Sequence, residues 1–152
     1  MPEKAVLVTG PRSWGAHNGD RGDLTDNEPG RILAELAVVD HYVGLLSPEV
    51  IVFHGGCRGL DSVFGRAAEK AGNVVVRIPY FGFAAKRGGF LRNQAMVHMV
   101  KGLADAGWET RSWAFGAPGE SKGTDLCADL MEAAGLRPVW VPRPVDIRVS
   151  SS

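Results

Sequence analysis

The chain has 152 residues and a mass of 16.2 kDa, a size that suits a single domain with a core of its own. Hydrophobic residues make up 45% of it and charged residues 22%, which is the balance of a soluble globular protein. Its 17 basic and 17 acidic residues give no net charge, so composition argues against nonspecific binding to nucleic acid or to an anionic membrane.

The sequence lacks the usual signals for export, membrane insertion and metal binding. It begins with MPEKAVLVTG, which enters a predicted strand at once and resembles no signal peptide. No apolar run approaches the ~20 residues that a membrane span requires. The two cysteines, Cys57 and Cys127, match no metal-ligand spacing. We therefore expect a cytoplasmic protein with reduced thiols, without a metal site and without a cofactor.

Short apolar runs alternate along the chain with segments in which apolar residues recur every three or four positions, as in an amphipathic helix. The predicted elements are a strand at 5–8, a long polar loop at 12–28, a helix from Pro29 to about Leu46, a strand at 50–53, a helix at 60–71, a strand at 74–78, a loop at 79–89, a helix at about 90–106, a strand at 111–115, a loop at 116–123, a helix at about 124–134 and a strand at 138–141. The first helix is expected to turn one apolar face towards the core, made of Ile32, Leu33, Leu36, Val39 and Val43.

This alternation predicts an α/β fold, a modified Rossmann-like open parallel sheet of about five strands with helices on both faces. Residues 1–141 form the predicted domain, and the tail at 142–152 is predicted to be mobile. Ligands of such sheets bind beyond the carboxyl ends of the strands, where the strand order reverses. Glycine and proline are concentrated in the loops at that edge, which is therefore the predicted binding edge.

The stretch HGGCRGLD, residues 54–61, leads from the second strand into the second helix. Its three glycines would let an anion approach the free N–H groups at the start of the helix, and Arg58 would add a bidentate contact. His54, at the end of the strand, is a possible site residue. Asp61 either faces a ligand or only offsets the dipole of its own helix.

Two further loops at this edge carry similar residues. In the loop from Gly116 to Asp125, the backbone of Gly119 and Gly123 and the hydroxyl of Thr124 could bind phosphate. The spacing is not that of a Walker A motif. The stretch KRGGFLRNQAM, residues 86–96, places arginines on both sides of a Gly-Gly helix start, so positive charge is expected there too.

The motifs TGPRSW, HGGCRGLD, RNQAM and a Pro-Gly loop ending in GTD occur in this order over about residues 5–141. In order and spacing they resemble the SLOG superfamily, and more narrowly its small bacterial and phage branch, which is related to YpsA-like proteins. The resemblance implies a modified Rossmann sheet that binds nucleotides or nucleotide derivatives. Members of the superfamily include phosphoribohydrolases that activate cytokinins, DprA proteins that bind single-stranded DNA, and sensors of nucleotide-derived signals in phage defence.

Compared with the phosphoribohydrolases residue by residue, the chain keeps the phosphate-binding pattern and loses the catalytic one. The arginine of their RKxxM motif falls on Arg92, but Asn93 replaces the lysine. Their PGGxGTxxE loop becomes PGESKGTDLC at 118–127, which is one residue longer and has Cys127 at the place of the glutamate. The resemblance therefore implies phosphate binding by Gly123 and Thr124, but it does not imply the hydrolytic role.

We therefore expect the chain to bind a nucleotide or a nucleotide-derived small molecule. The expected ligand-binding residues are Gly10, Pro11, Arg12, Gly55, Gly56, Arg58, Gly59, Arg92, Asn93, Gly119, Gly123 and Thr124. The role is either that of a pure ligand sensor or that of a phosphoribohydrolase-like enzyme, which cleaves the N-glycosidic bond of nucleoside monophosphates. The enzyme would use Arg92 with Asp61 or Asp125, or with Glu120, in place of the missing glutamate. A DprA-like single-strand binder is disfavoured by the zero net charge, a membrane partner is not expected, and a homo-oligomer stays open.

Overall fold

The computed structural model of the chain describes residues 3–16, 28–79 and 88–144. Its elements are β1 (Lys4–Thr9), α1 (Glu28–Gly44), β2 (Ile51–His54), α2 (Leu60–Lys70), β3 (Val75–Arg77), α3 (Gly88–Asp105), β4 (Glu109–Phe115), α4 (Lys122–Ala133) and β5 (Val139–Val141). Most of the predicted loops at 12–28 and 79–89 lies outside the described residues.

The five strands form one sheet in the order β3-β2-β1-β4-β5, and every neighbouring pair is parallel. This confirms the predicted α/β fold with a Rossmann-like open sheet. β1 lies at the centre because its residues 5 to 8 are apolar on both faces, and all four are almost completely buried. The strand order reverses at β1, whose two neighbours, β2 and β4, are reached by connections in opposite directions.

The alternating side chains of the strands divide the core between the two faces of the sheet. Val6 and Val8 of β1 pack with residues of α1 and α2 on one face. Ala5 and Leu7 point to the other face and pack with residues of α3 and α4. This packing fixes the N-terminal ends of the helices around one edge of the sheet, where the carboxyl ends of the strands lie.

The segment just after β1 is part of the core. Residues 12–16 turn tightly, and Trp14 is fully buried. Its indole ring packs edge-on against Phe115, with 5.2 Å between the ring centroids, and its Nε1 donates to the backbone oxygen of Glu35 at 3.1 Å. Residues 12–16 therefore form turns, as the loop prediction requires, but the buried side chain of Trp14 anchors them to the core.

The buried face of α1 also differs from the predicted one. Leu33 is 56% exposed, whereas Glu35 is completely buried. The Glu35 carboxylate accepts from the backbone N–H of Gly15 at 2.8 Å and forms ion pairs with Arg31 and Arg143. Burial of this charge is tolerated because two cations and an N–H group compensate it. An apolar pattern alone does not detect such a residue.

Beyond β5 the described chain continues to residue 144 and stays in contact with the domain. Arg143 forms ion pairs with Glu35 and Glu120, and its Nη2 donates to the Ser13 hydroxyl at 2.8 Å. Arg143 of the predicted tail is thus bound to the domain, while the mobility predicted for the tail at 142–152 stays a prediction. Residues 145–152 lie outside the described part.

Within residues 3–16, 28–79 and 88–144, no helix is long and apolar enough to cross a membrane.

Candidate functional site

A cleft of about 960 Å³ opens at the carboxyl edge of the sheet, above the point where the strand order reverses. Open α/β sheets bind their ligands at this place. Every strand is followed by residues that line it. The lining residues are Thr9, Gly10, Pro11, Arg12, Ser13, Arg31, Cys57, Arg58, Asp61, Gly89, Phe90, Arg92, Asn93, Glu120, Ser121, Lys122, Gly123, Thr124, Leu126 and Arg143.

The loops that follow β1 and β2 interlock by close backbone contacts. The N–H of Leu60 donates to the oxygen of Pro11 at 3.1 Å. A Cβ atom on Gly59 would lie 2.3 Å from the backbone oxygen of Arg12, and one on Gly10 would lie 2.6 Å from Leu60 Cγ. Glycine is therefore required at both positions by the contact between the two loops.

The next two glycines of the HGGCRGLD stretch make room for arginines. A Cβ atom on Gly55 would lie 2.8 Å from the side chain of Arg92, and one on Gly56 would lie 2.2 Å from Arg77 Nε. Their N–H groups are used inside the protein: Gly55 donates to Asp61 Oδ2 at 3.1 Å, and Gly56 donates to His54 Nδ1 at 2.9 Å. In this structure the two N–H groups are thus engaged within the protein, and Gly55, Gly56 and Gly59 do not line the cleft. Their role as ligand-binding residues stays a prediction.

Arg92 lies in the floor of the cleft and is only 8% exposed. Its Nη1 donates to the backbone oxygen of Gly55 at 2.8 Å and to Cys57 Sγ at 3.1 Å, and its Nε donates to Asn93 Oδ1 at 3.1 Å. These contacts fix the guanidinium group, while Nη2 has no partner among the described residues. The structure thus brings Arg92 and Asn93 to the cleft, with one edge of the guanidinium group left for a ligand.

Asp61 and Glu120 are the two acidic residues among the described residues that line the cleft. Glu120 pairs with Arg143, whereas Asp61 is 5% exposed. Its Oδ2 accepts from the N–H groups of Gly55 and Cys57, at 3.1 and 3.3 Å. Its Oδ1 is buried and has no hydrogen-bond partner among the described residues. Burial raises the pKa of Asp61 to about 6, although the nearby Arg92 opposes the shift. One oxygen of the carboxylate therefore stabilises the loop, and the other accepts no hydrogen bond from the described residues.

His54 belongs to the support of the cleft and does not line it. Burial, together with the charges of Arg77 and Arg92, lowers the pKa of His54 to about 4. The ring is therefore neutral at pH 7, and because Nδ1 accepts from Gly56, its proton resides on Nε2. Gly65 of α2 lies against that nitrogen, since a Cβ atom there would be 2.6 Å away.

The first turn of α4 forms the opposite wall. Ser121 caps the helix by accepting from the Thr124 N–H at 3.4 Å, and the Thr124 hydroxyl bonds to Ser121 Oγ at 3.1 Å. The N–H groups of Lys122 and Gly123 have no acceptor among the described residues. They lie at the positive end of the helix, which favours an anion. Gly123 lies within the helix and not before it, because the cap is Ser121.

Gly119 and Asp125 lie outside this cleft. The Gly119 N–H donates to both carboxylate oxygens of Asp125, at 3.0 and 3.1 Å. Both residues line a separate groove of about 340 Å³, together with Asp129, Glu132 and Trp140. The structure therefore does not bring Asp125, proposed from the sequence as a catalytic residue, or Gly119, proposed as a phosphate ligand, to the main cleft.

The cations of the cleft are of two kinds. Arg31 and Arg143 are neutralised by ion pairs with Glu35, and Arg143 pairs with Glu120 as well. Arg12, Arg58 and Lys122 are exposed and form no ion pair within residues 3–16, 28–79 and 88–144. Arg12 and Arg58 lie on the loops after β1 and β2, and Lys122 begins α4, so positive charge is presented to the cleft by three separate segments.

The two cysteines have different surroundings. Cys57 is half-buried and lines the cleft, whereas Cys127 is completely buried below it. Burial raises the pKa of Cys127 to about 12, so this thiol cannot replace the carboxylate of the phosphoribohydrolases as a charged group. No three acidic, histidine or cysteine residues of the described part are grouped so that they could hold a metal ion.

Several residues of the cleft were not singled out from the sequence. Arg143 follows the last strand, and nothing in its neighbours indicates that it folds back over Trp14, whose ring centroid is 5.3 Å from the guanidinium carbon. Arg31 could have been recognised, because Glu28 and Glu35 lie three residues before and four residues after it on one helix face. Phe90 and Leu126 are exposed apolar residues on neighbouring helices, a feature visible only in the structure.

Comparison with known proteins gives no family assignment. The chain matches no family model, and no curated protein matches it significantly in sequence. The SLOG resemblance therefore stays a prediction.

Proposed function

We propose that the chain binds a nucleotide or a nucleotide-derived anion in the cleft at the carboxyl edge of the sheet. The observation that carries the proposal lies above the reversal of the strand order. There the cleft is lined by Arg12, Arg58 and Lys122, which form no ion pair within the described part of the chain, and by the N–H groups at the start of α4, which have no acceptor there. Positive side chains and a helix N-terminus that face the same cleft favour the binding of a phosphate group.

The contacts assigned to the phosphate are few. The N–H groups of Lys122 and Gly123 and the Lys122 ammonium group would bind it from α4. Arg58 and Arg12 would approach from the loops after β2 and β1, and Arg92 Nη2 from the floor. The exposed side chains of Phe90 and Leu126 would cover an apolar part of the ligand such as a nucleobase.

Calorimetric titration and thermal unfolding with nucleoside mono- and diphosphates, NAD and ADP-ribose test the proposal. A ligand present at 100 times its dissociation constant should stabilise the protein by about 2.7 kcal/mol. Lys122→Ala should weaken binding by roughly ten- to a hundredfold, since a charge-assisted contact contributes roughly 1.5 to 3 kcal/mol. Lys101→Ala is the matched control, because Lys101 is a partly exposed residue of α3 that pairs with Asp105 and does not line the cleft. Equal affinity in both variants, or no binding in the panel, contradicts the proposal.

A second candidate is cleavage of the N-glycosidic bond of a nucleoside monophosphate. It is favoured by the position of Asp61, a carboxylate in the same cleft as Arg92 and the phosphate contacts. Incubation with nucleoside monophosphates, followed by chromatography for free base and ribose 5-phosphate, separates the two functions. Product formation that Asp61→Asn abolishes would establish the enzyme, and tight binding without product would leave a binding protein.

A further inference from the structure

The floor of the cleft contains two polar side chains that are almost completely buried and still have unused donors. Arg92 is 8% exposed and Asn93 is 5% exposed, and both line the cleft. Neither Arg92 Nη2 nor Asn93 Nδ2 has a hydrogen-bond partner among the described residues. The fully enclosed side-chain atoms without a partner in that part are Asp61 Oδ1 and Ser112 Oγ. The two nitrogens are therefore in contact with solvent, which reaches them through the cleft.

Arg92 determines the orientation of the Asn93 amide. Its Nε donates at 3.1 Å and has no acceptor, so the amide atom that faces it is Oδ1. The guanidinium group stays protonated at any ordinary pH, so this contact persists. The amide thus keeps its oxygen on the arginine and leaves Nδ2, with two hydrogens, to the cleft. Arg92 Nη2 also has two hydrogens, of which the phosphate contact proposed above uses one.

The floor carries less uncompensated positive charge than the rest of the cleft. Arg92 Nη1 donates to the backbone oxygen of Gly55 and to Cys57 Sγ, and Asp61 Oδ2 accepts from the N–H groups of the same two residues. The carboxylate therefore lies close enough to compensate the guanidinium charge. The cations that form no ion pair in the described part lie on other segments, at Arg12, Arg58 and Lys122. A phosphate group is expected at those cations, and a neutral hydrogen-bond acceptor at the floor.

An aromatic side chain lies one helical turn before Asn93. Phe90 and Asn93 are three residues apart on α3, a spacing that places two side chains on the same helix face. Both line the cleft, and Phe90 is exposed to it. An aromatic ring beside N–H donors fits a planar ring that carries its own acceptors. A nucleobase is such a ring, whereas a carboxylate or a second phosphate would make no use of Phe90.

We propose that this floor binds the base of the nucleotide and selects a 6-oxopurine, guanine or hypoxanthine, over adenine. The proposal rests on the nucleotide-binding function proposed above and adds the choice of base to it. Guanine and hypoxanthine present two acceptors, O6 and N7, whereas adenine presents N7 beside the N6 amino group, which is a donor. An asparagine binds adenine when its oxygen accepts from N6 and its nitrogen donates to N7. Here Oδ1 already accepts from Arg92, so an amino group at that place would meet the N–H groups of the guanidinium.

Calorimetric titration with GMP, IMP and AMP tests the selection. IMP differs from AMP in the carbonyl oxygen that replaces the amino group at position 6, and GMP adds a 2-amino group to IMP. Wild type should bind GMP and IMP about equally, because the floor contacts O6 and N7, which both bases share. It should bind each of them at least about tenfold more tightly than AMP.

Asn93→Asp replaces the Nδ2 donor with an acceptor oxygen of the same shape and keeps an oxygen on Arg92. The ratio of the IMP affinity to the AMP affinity should fall at least about tenfold in this variant. The ratio is informative although the added charge weakens the binding of every nucleotide, and misfolding would lower all affinities alike. Gln94→Glu is the matched control, because it adds the same charge to the next residue of α3, which does not line the cleft. It should leave the ratio unchanged.

The outcomes separate base selection from nucleotide binding. If wild type binds AMP as tightly as IMP, or if Asn93→Asp leaves the ratio intact, the floor does not select the base, while nucleotide binding stands. An equal change of the ratio in Gln94→Glu would attribute the effect to charge alone and would also overturn the inference. If none of the three nucleotides binds wild type, the proposed function fails, and base selection fails with it.

Discussion

Arg92 is held by the protein before any ligand arrives. Its guanidinium group ties α3 to the loop after β2 through Gly55 and Cys57, and it is almost completely removed from solvent. Such an arginine is part of the structure as well as of the cleft. Its role in binding can therefore be measured only beside its role in stability.

We predict that Arg92→Ala lowers the free energy of unfolding by roughly 2 to 4 kcal/mol, because buried acceptors lose a charged donor and a cavity is formed. Urea unfolding followed by circular dichroism measures this change. Arg66→Ala, on the exposed side of α2, should change the free energy by less than about 0.5 kcal/mol. A stable Arg92→Ala variant would show that the contacts of the guanidinium group contribute little to folding.

Asp61 and His54 give the stability of the protein two opposite dependences on pH. The folded pKa of Asp61, about 6, lies above the ordinary 3.8, so its contribution is largest below pH 4 and is lost as the pH rises to 6. The folded pKa of His54, about 4, lies below the ordinary 6.5, so its contribution is present above pH 6.5 and is lost as the pH falls to 4. Between pH 4 and 6 the two contributions largely cancel.

We predict that Asp61→Asn uncovers the contribution of the histidine. In this variant the free energy of unfolding should rise from pH 4 to pH 6.5, whereas in wild type it should change much less. The difference between the two proteins over this range should reach about 3 kcal/mol, which is the equivalent of a shift of two pKa units. Denaturant unfolding at half-unit pH intervals measures both curves. Parallel curves would mean that Asp61 titrates at an ordinary pKa.

The sequence predicts which residues lie at the cleft better than it predicts what they do there. Arg12 and Arg58 follow strand ends and Arg92 and Asn93 lie near the start of α3, and the parallel fold brings all four to one edge of the sheet. The use of each N–H group depends on side chains that arrive from elsewhere in the fold, as Asp61 and His54 do in the HGGCRGLD loop. Glycines that leave space for a ligand and glycines that leave space for an arginine have the same appearance in a sequence.

At the scale of elements, the loops after β1 and β2 act as one unit. The backbone of Gly59 lies against the backbone of Pro11 and Arg12, and Leu60 is hydrogen-bonded to Pro11. Arg12 and Arg58 are thereby presented by two loops that cannot move independently. The cleft has a fixed wall on this side although it is formed by loops.

We predict that Gly59→Ala destabilises the protein far more than Gly135→Ala does. Both glycines have positive φ angles, 84° and 79°, so both substitutions strain the backbone by roughly 1 kcal/mol or more. Only at position 59 does the new Cβ atom meet backbone atoms, at 2.3 Å, while nothing lies within 4 Å of it at position 135. Thermal unfolding of the two variants measures both losses of stability. The loss at Gly135 gives the cost of the strained φ angle, and the additional loss at Gly59 gives the cost of the steric overlap. Equal losses would show that the two loops can move apart.

The predicted bounds of the strands, which buried apolar runs determine, agree with the observed bounds. The predicted starts of two helices, which capping residues determine, differ from the observed ones. The strands were predicted from apolar runs, and all five are present with ends within two residues of the prediction. α3 and α4 begin two residues earlier than predicted, at Gly88 and Lys122, because glycines can occupy a first helical turn. The start of α4 follows from Ser121, whose capping role a glycine-rich sequence conceals.

At the scale of the whole molecule, one buried carboxylate connects distant parts of the chain. Glu35 of α1 joins Arg31, the turn at Gly15 and Arg143 beyond β5. Arg143 in turn reaches Glu120, in the loop that leads to α4. Three of the segments that surround the cleft are thus held by a single charge.

We predict that Arg143→Ala costs roughly 2 to 4 kcal/mol of stability, because removal of one partner leaves Glu35 insufficiently compensated in the interior. Double substitution with Glu35→Gln should recover part of the loss, since the amide needs no cation. Denaturant unfolding of the two single variants and the double variant gives the coupling energy. Lys70→Ala, at the exposed end of α2, is the control for loss of charge. If the losses of stability in the two single variants simply add in the double variant, Arg143 and Glu35 are not coupled and the prediction is wrong.

The strand order also bears on how the molecule is made. β1 is the first of the five strands in the sequence and the central one in the sheet. During synthesis on a ribosome, β2 can pair with one side of β1 and β3 with β2. The other side of β1 stays unpaired until β4 has been synthesised. For that interval an unpaired edge of almost purely apolar sequence is available to any other nascent chain. The protein should therefore depend on chaperones that shield this edge, and slower translation between β3 and β4 should reduce its yield of folded molecules.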